Sequence, residues 1–197
     1  KLIVVACNTA TTNAIAFLRA HYTVPFIGIE PAIKPASLQT KTSKIGILAT
    51  KGTLNSELFE KTSSSIDQNI IRKEIIGKGL VELIESGKLY SSEMTQLLHT
   101  YLNPLIKENI DCLVLGCTHY PYLIPQIKEI VGDKIKIIDS GAAVSIQTQK
   151  ILAKFNLLNV STKKGEHSFF INKNKNVLEH LMSNQKDIAI KIKEKKF

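Results

Sequence analysis

The chain has 197 residues, 44% hydrophobic and 22% charged, with a formal charge of +9. That length can bury a real core as one domain or two small ones, and no apolar run reaches the length that spans a bilayer. Lysine carries nearly all the positive charge, with Arg19 and Arg72 the only arginines. The guanidinium fork that favours base and phosphate recognition is therefore almost absent, and a solvated basic face is favoured over a nucleic-acid surface.

The chain opens inside an apolar run, Leu2–Val5, read as a buried strand, and residues 10–21 pattern as a helix behind it. A short strand is expected at Phe26–Ile29, a helical stretch over 32–40, and a buried strand at Lys44–Leu48. A helix from Leu54 to Lys61 follows, with Asn55 and Ser56 leaving room for a capped start. Residues 70–76 read as a strand, 79–86 as a short helix ended by Gly87, and 91–107 as a helix that Pro104 should kink or break. The next strand is Cys112–Leu115. Pro121 in a first turn, with Leu123, Ile127 and Ile130 at helical spacing, predicts a helix after it. Lys134–Ile138 is a further strand that exits at Asp139–Ser140–Gly141 into a helix reaching about Phe155. A strand at Ser168–Ile171, a helix over 176–184 and a basic tail with Lys186, Lys191, Lys193, Lys195 and Lys196 complete the chain.

Continuous apolar runs alternating with helices mean βαβ units and mostly parallel sheet, hence an α/β fold. Ligands in such folds bind beyond the carboxyl ends of the strands. Two strand exits, VVACNT and LVLGCTH, share one plan: apolar run, small residue, cysteine, short polar groups, helix. They place Cys7 and Cys117 110 residues apart, as two similar α/β halves facing one another would. A cysteine at a helix mouth is expected to have its thiol lowered below about 8.5 by unsatisfied N–H groups and the helix dipole. Cys112, at the start of its strand, reads instead as a small buried hydrophobe.

Three cysteines cannot all pair, and the chain has no disulfide-framework density, which suits a reducing cytoplasm. Other uses of Cys7 and Cys117 stay open on the residues alone: packing positions, zinc ligands with His119 (without C-x2-C or H-x3-H spacing), or one hydrolase nucleophile with a His partner. Two matched thiols facing one ligand suit a different task. One base can remove a proton from one face of a stereocentre beside a carboxylate while an acid delivers one to the other face.

VVACNTA and LVLGCTHYP resemble the two cysteine motifs of the glutamate racemases, in the cofactor-independent aspartate/glutamate racemase superfamily. GILATKGTLNS resembles another of that family's strand exits and LVELIESG its acidic segment, so the resemblance runs from residue 1 to about 155. It implies a two-base interconversion of L- and D-glutamate without pyridoxal phosphate or any other cofactor or metal, in the cytoplasm, supplying D-glutamate for peptidoglycan. By position, Cys7 and Cys117 would be the acid/base thiols. Asn8, Thr9, Thr118 and His119 would hold the ends of the amino acid, Thr53 would be a further contact, and Glu85 would assist Cys117 through His119. The implied partners are glutamate and, in the full-length protein, a second copy, with no membrane. A racemase of aspartate or another acidic amino acid, or a non-catalytic nucleic-acid-associated protein, are the competing readings.

The family begins with an Asp-Ser-Gly strand and a Pro-Tyr-Gly loop ahead of a segment like residues 1–14, and neither is present here; Asp139–Ser140–Gly141 fits a later strand exit. The expectation is therefore an N-terminally truncated chain, inactive or misassembled without its leading strands. On that view residues 1–28 and 142–197 form an incomplete first half-domain and 29–141 the second, both αβα, with mostly parallel sheets facing across a central cleft.

Overall fold

Every strand pair among the described residues is parallel. The computed structural model describes all residues except 164, 184, 186, 187 and 197, so Lys186 of the basic tail lies outside the described residues. The chain begins with β1 (Ile3–Val5), α1 (Asn8–His21) and β2 (Phe26–Gly28), followed by α2 (Ile33–Gln39) and β3 (Lys44–Ala49). Next come α3 (Lys51–Leu54), α4 (Glu57–Ser64), β4 (Ile71–Ile76), α5 (Leu80–Glu85), α6 (Ser92–Lys107) and β5 (Cys112–Gly116). A 3-10 turn at Tyr120–Leu123 leads into α7 (Ile124–Val131), β6 (Lys136–Ile138) and α8 (Gly141–Lys154). The chain closes with β7 (His167–Ile171), α9 (Lys175–Leu181) and β8 (Ile190–Glu194).

The main sheet has the order β4-β3-β5-β6, flanked by two-stranded sheets β1-β2 and β7-β8. All five residues of β5 are buried, as a strand covered on both faces requires. Successive side chains leave a strand on opposite faces, and the core divides accordingly. Ile45, Ile47, Cys112 and Val114 pack with Ile33 and Ala36 of α2 and Phe59 of α4. Leu48, Leu113 and Leu115 pack with Leu80 and Ile84 of α5, Met94, Leu98 and Leu102 of α6, Tyr120, and Ile127 of α7. Helices thus cover both faces of the sheet, and Thr53 and the Cys117–His119 turn follow the exits of β3 and β5.

Several boundaries differ from expectation for local reasons. The helix expected at 54–61 is two, because Thr50 caps the Thr53 N–H and Ser56 separately caps the Phe59 N–H. Pro104 lies within α6, which continues past it to Lys107. The helix after Pro121 opens as a 3-10 turn before becoming α-helical at Ile124. Part of the basic tail is strand β8, in which Ile190 and Ile192 alternate with Lys191 and Lys193 and pair with β7.

Candidate active site

At the β1 exit, Cys7 is the N-cap of α1, in extended backbone (φ −149°), and its exposed Sγ accepts the Ala10 N–H at 3.5 Å. Asn8 is buried and donates from Nδ2 to the Ile29 carbonyl at 3.3 Å, tying the start of α1 to the β2 exit. The hydroxyls of Thr9, Thr50 and Thr53 form a closed triangle: Thr9–Thr50 2.8 Å, Thr9–Thr53 3.0 Å and Thr50–Thr53 3.0 Å. Gly52 permits that approach, since a Cβ there would lie 2.7 Å from Thr9 Cγ2. The triangle joins the exits of β1 and β3, and Thr53 within it is fully buried.

At the β5 exit, Gly116 sits opposite Ala49 in the register. A Cβ on Gly116 would come 2.6 Å from that of Ala49, so glycine is required where the thiol-bearing turn leaves the sheet. Cys117 follows, 8% exposed. His119 Nδ1 lies 3.8 Å from Cys117 Sγ, and His119 Nε2 lies 3.2 Å from Oε1 of Glu85, the last residue of α5. A carboxylate only accepts, so Nε2 carries a proton toward Glu85 while Nδ1 faces the thiol. His119 occupies the cap position of its 3-10 turn but makes no side-chain capping bond there.

The expected lowering of both thiols by helix mouths fails at Cys117. Burial raises this thiol above its ordinary value, and the His119 and Tyr120 backbone N–H groups that oppose the rise do not overcome it. The Cys7 charge adds to the rise, followed by a smaller contribution from Glu85. Cys112 is buried at the start of β5, as expected, and burial together with Asp111 pushes its thiol up to about 11.

The expected residues thus gather in two groups: Cys117, His119 and Glu85 in one chain of contacts, and Thr9 and Thr53 in a hydroxyl cluster beside Asn8 and Cys7. A cavity of about 490 Å³ adjoins the first group, lined by Glu85, Thr118 and His119 together with Tyr122, Asn172 and Lys173; neither thiol lines it. Sequence reasoning missed Thr50 and the Asn172–Lys173 turn. Both follow directly on a strand, at the exits of β3 and β7, the position that marks ligand-facing residues in such a fold.

A model of the Asp/Glu/hydantoin racemase family matches residues 1–147. The chain belongs to that family. Among its relatives, a glutamate racemase of Herpetosiphon aurantiacus is 45% identical over 165 residues, covering 84% of this chain and 65% of the relative. A glutamate racemase of Pseudomonas putida is 46% identical over 162 residues, covering 80% of this chain and 60% of the relative. The chain therefore spans less than two thirds of the length of these curated relatives. Among solved members of the family, a glutamate racemase isoform from Bacillus anthracis superposes with a TM-score of 0.83 at 32% identity, covering 100% of this chain and 74% of that one. The mixed α/β architecture with parallel sheets is the one these racemases share.

Proposed function

We propose that the protein is a glutamate racemase that interconverts L- and D-glutamate by two-base proton transfer between Cys7 and Cys117. The observation that carries this reading is the Cys117–His119–Glu85 chain of contacts, with a second thiol, Cys7, at the mouth of α1. The glutamate racemases among its relatives and structural neighbours support the choice of substrate. An Escherichia coli glutamate racemase solved in complex with L-glutamate, 28% identical with a TM-score of 0.78, supports it further.

In the proposed reaction one cysteine enters as thiolate and the other as thiol. The thiolate takes the Cα proton, and the electron pair delocalises into the adjacent carboxylate. The thiol then delivers its proton to the opposite face, which leaves the two sulfurs with exchanged protonation states. Glu85 holds the His119 ring so that Nδ1 can take up or return the Cys117 proton as the cycle turns. Asn8, Thr9, Thr118 and His119 grip the carboxylate and ammonium ends of the substrate, and Thr53, whose hydroxyl is hydrogen-bonded to that of Thr9, is a further contact. No cofactor takes part in the proposed reaction.

The substrate lies between one half-domain of residues 1–28 with 142–197 and another of residues 29–141. The protein works in the cytoplasm as a homodimer and supplies D-glutamate for peptidoglycan. No described helix is long and apolar enough to cross a membrane. Chiral chromatography after incubation with either glutamate enantiomer, without added cofactor, tests the reading: each should yield the other. Interconversion of aspartate but not glutamate would overturn the substrate assignment, and interconversion of neither would overturn the activity.

A further inference from the structure

We infer that Tyr120 and Tyr101 are positioning residues that set the His119–Glu85 contact by clamping the loop that launches α5. The consequence for turnover rests on the racemase reading above; the geometry stands without it. Glu85 ends a six-residue helix, so its place is fixed by where that helix begins. The launching loop, residues 77–79, is held at three consecutive points. The Gly77 N–H donates to the Ala49 carbonyl at 2.9 Å. The Tyr120 hydroxyl donates to the Gly77 carbonyl at 3.1 Å, and the Tyr101 hydroxyl donates to the Lys78 carbonyl at 2.7 Å. Gly79 then turns the chain into α5 with φ +86°, a conformation open to glycine.

Tyr120 belongs to both ends of the contact it governs. It directly follows His119, its own N–H donates to the Cys117 carbonyl at 3.1 Å, and its side chain is fully buried. Burial also pushes its phenol far above the ordinary range, which keeps it a donor at any pH of interest. Gly77 is what allows the hydroxyl in: a Cβ there would lie 2.3 Å from Tyr120 Oη and 2.9 Å from Leu80 Cδ1. The turn bearing the thiol and imidazole is thus tied by one phenol to the loop that launches the carboxylate's helix. The His119–Glu85 separation of 3.2 Å is already at the long end for N–H···O. A shift of the launching loop by a fraction of an ångström releases it.

The test is the 15N spectrum of the His119 ring in His-labelled protein, assigned by its loss in His119→Gln. The wild type should show the Nε2–H tautomer, and Glu85→Ala should move both ring nitrogens toward the values of mixed tautomers. Tyr120→Phe and Gly77→Ala should move them in the same direction, and Tyr101→Phe in that direction by less. A merely structural role would lower the melting temperature and leave the ring nitrogens in place. The inference is overturned if the folded Tyr120→Phe and Gly77→Ala variants keep wild-type His119 shifts, or if Glu85→Ala itself leaves them unmoved. Should Tyr120→Phe not fold, the half-buried Tyr101→Phe decides alone, by moving the signals or leaving them. In turnover, Tyr120→Phe should lower kcat with KM unchanged; absence of turnover in the wild type would count against the racemase reading and leave the tautomer result standing.

Discussion

His119 stands between Cys117 and Glu85, its Nδ1 3.8 Å from the thiol sulfur and its Nε2 3.2 Å from the carboxylate. The three side chains grade from buried to open. The thiol is buried, while the imidazole and carboxylate side chains are 34% and 52% exposed. The order suits a relay that passes a proton from a dry sulfur to the edge of solvent. It also separates the role of each member from the stability of the fold.

Glu85→Gln should therefore slow glutamate racemisation by about tenfold to a hundredfold, the range expected for losing a charged hydrogen-bond partner. Because the Glu85 side chain is exposed, the melting temperature should correspond to a stability change within about 0.5 kcal/mol. Parallel assays of turnover and thermal unfolding check both halves of that statement. An equal loss of stability and activity would mark Glu85 as structural.

The raised thiol of Cys117 predicts an alkaline-rising limb in the pH profile of whichever direction begins with Cys117 as base. In the proposed reaction the thiolate would be the base, and burial delays its formation to higher pH than in free cysteine. Initial rates measured from each enantiomer across the alkaline range should differ in this limb.

Cys112 should shape stability without touching turnover. Its folded thiol is pushed from 9.0 to about 11, first by burial and then by Asp111. The folded state therefore holds the proton more tightly. Its stabilising effect is complete below the unfolded value and is lost as pH rises toward about 11. Urea unfolding of the wild type should show stability falling across this window, and Cys112→Val should flatten that slope while retaining racemase activity.

Asp111 predicts the opposite end of the pH scale. Burial acts to raise its carboxyl, but hydrogen bonds from the Thr40 hydroxyl and the Lys41 and Thr42 N–H groups more than offset this and hold it below the usual range. Its contribution is present above the unfolded value of about 3.9 and is lost as pH falls through the lowered folded value. Asp111→Ala hands those partly exposed donors to water and should cost about 0.5–1.5 kcal/mol near neutral pH, the net worth of an ordinary hydrogen bond, measured by chemical denaturation.

The parallel core is legible in the sequence because strands buried on both faces must be apolar throughout, as KIGILA and CLVLG are. Boundaries set by single side-chain caps are less legible: Asn55 and Ser56 look alike as helix starts, and only Ser56 turns toward a free N–H, that of Phe59. Strand β8 is obscured by lysines at every second position, although the alternating isoleucines carry the period of a strand. At the site, the two cysteine turns stand out by their shared plan, whereas the Glu85 contact spans 34 residues and no local spacing reveals it. Family resemblance supplied that residue. The sign of the Cys117 shift is hidden for a physical reason: helix-mouth chemistry is local, and the burial that outweighs it is made by the packing around the turn.

The central claim is that two thiols act from opposite faces of one carbon, and deuterium partitioning tests it most directly. Racemisation is started from a single glutamate enantiomer in D2O, and both enantiomers are separated and weighed at low conversion. Solvent-exchanged thiols should place deuterium at Cα of nearly all product molecules while recovered substrate keeps its protium. Cys7→Ser and Cys117→Ser should each reduce product formation by about a hundredfold or more. Product that retains the original protium, or full activity after either substitution, would contradict the two-thiol account.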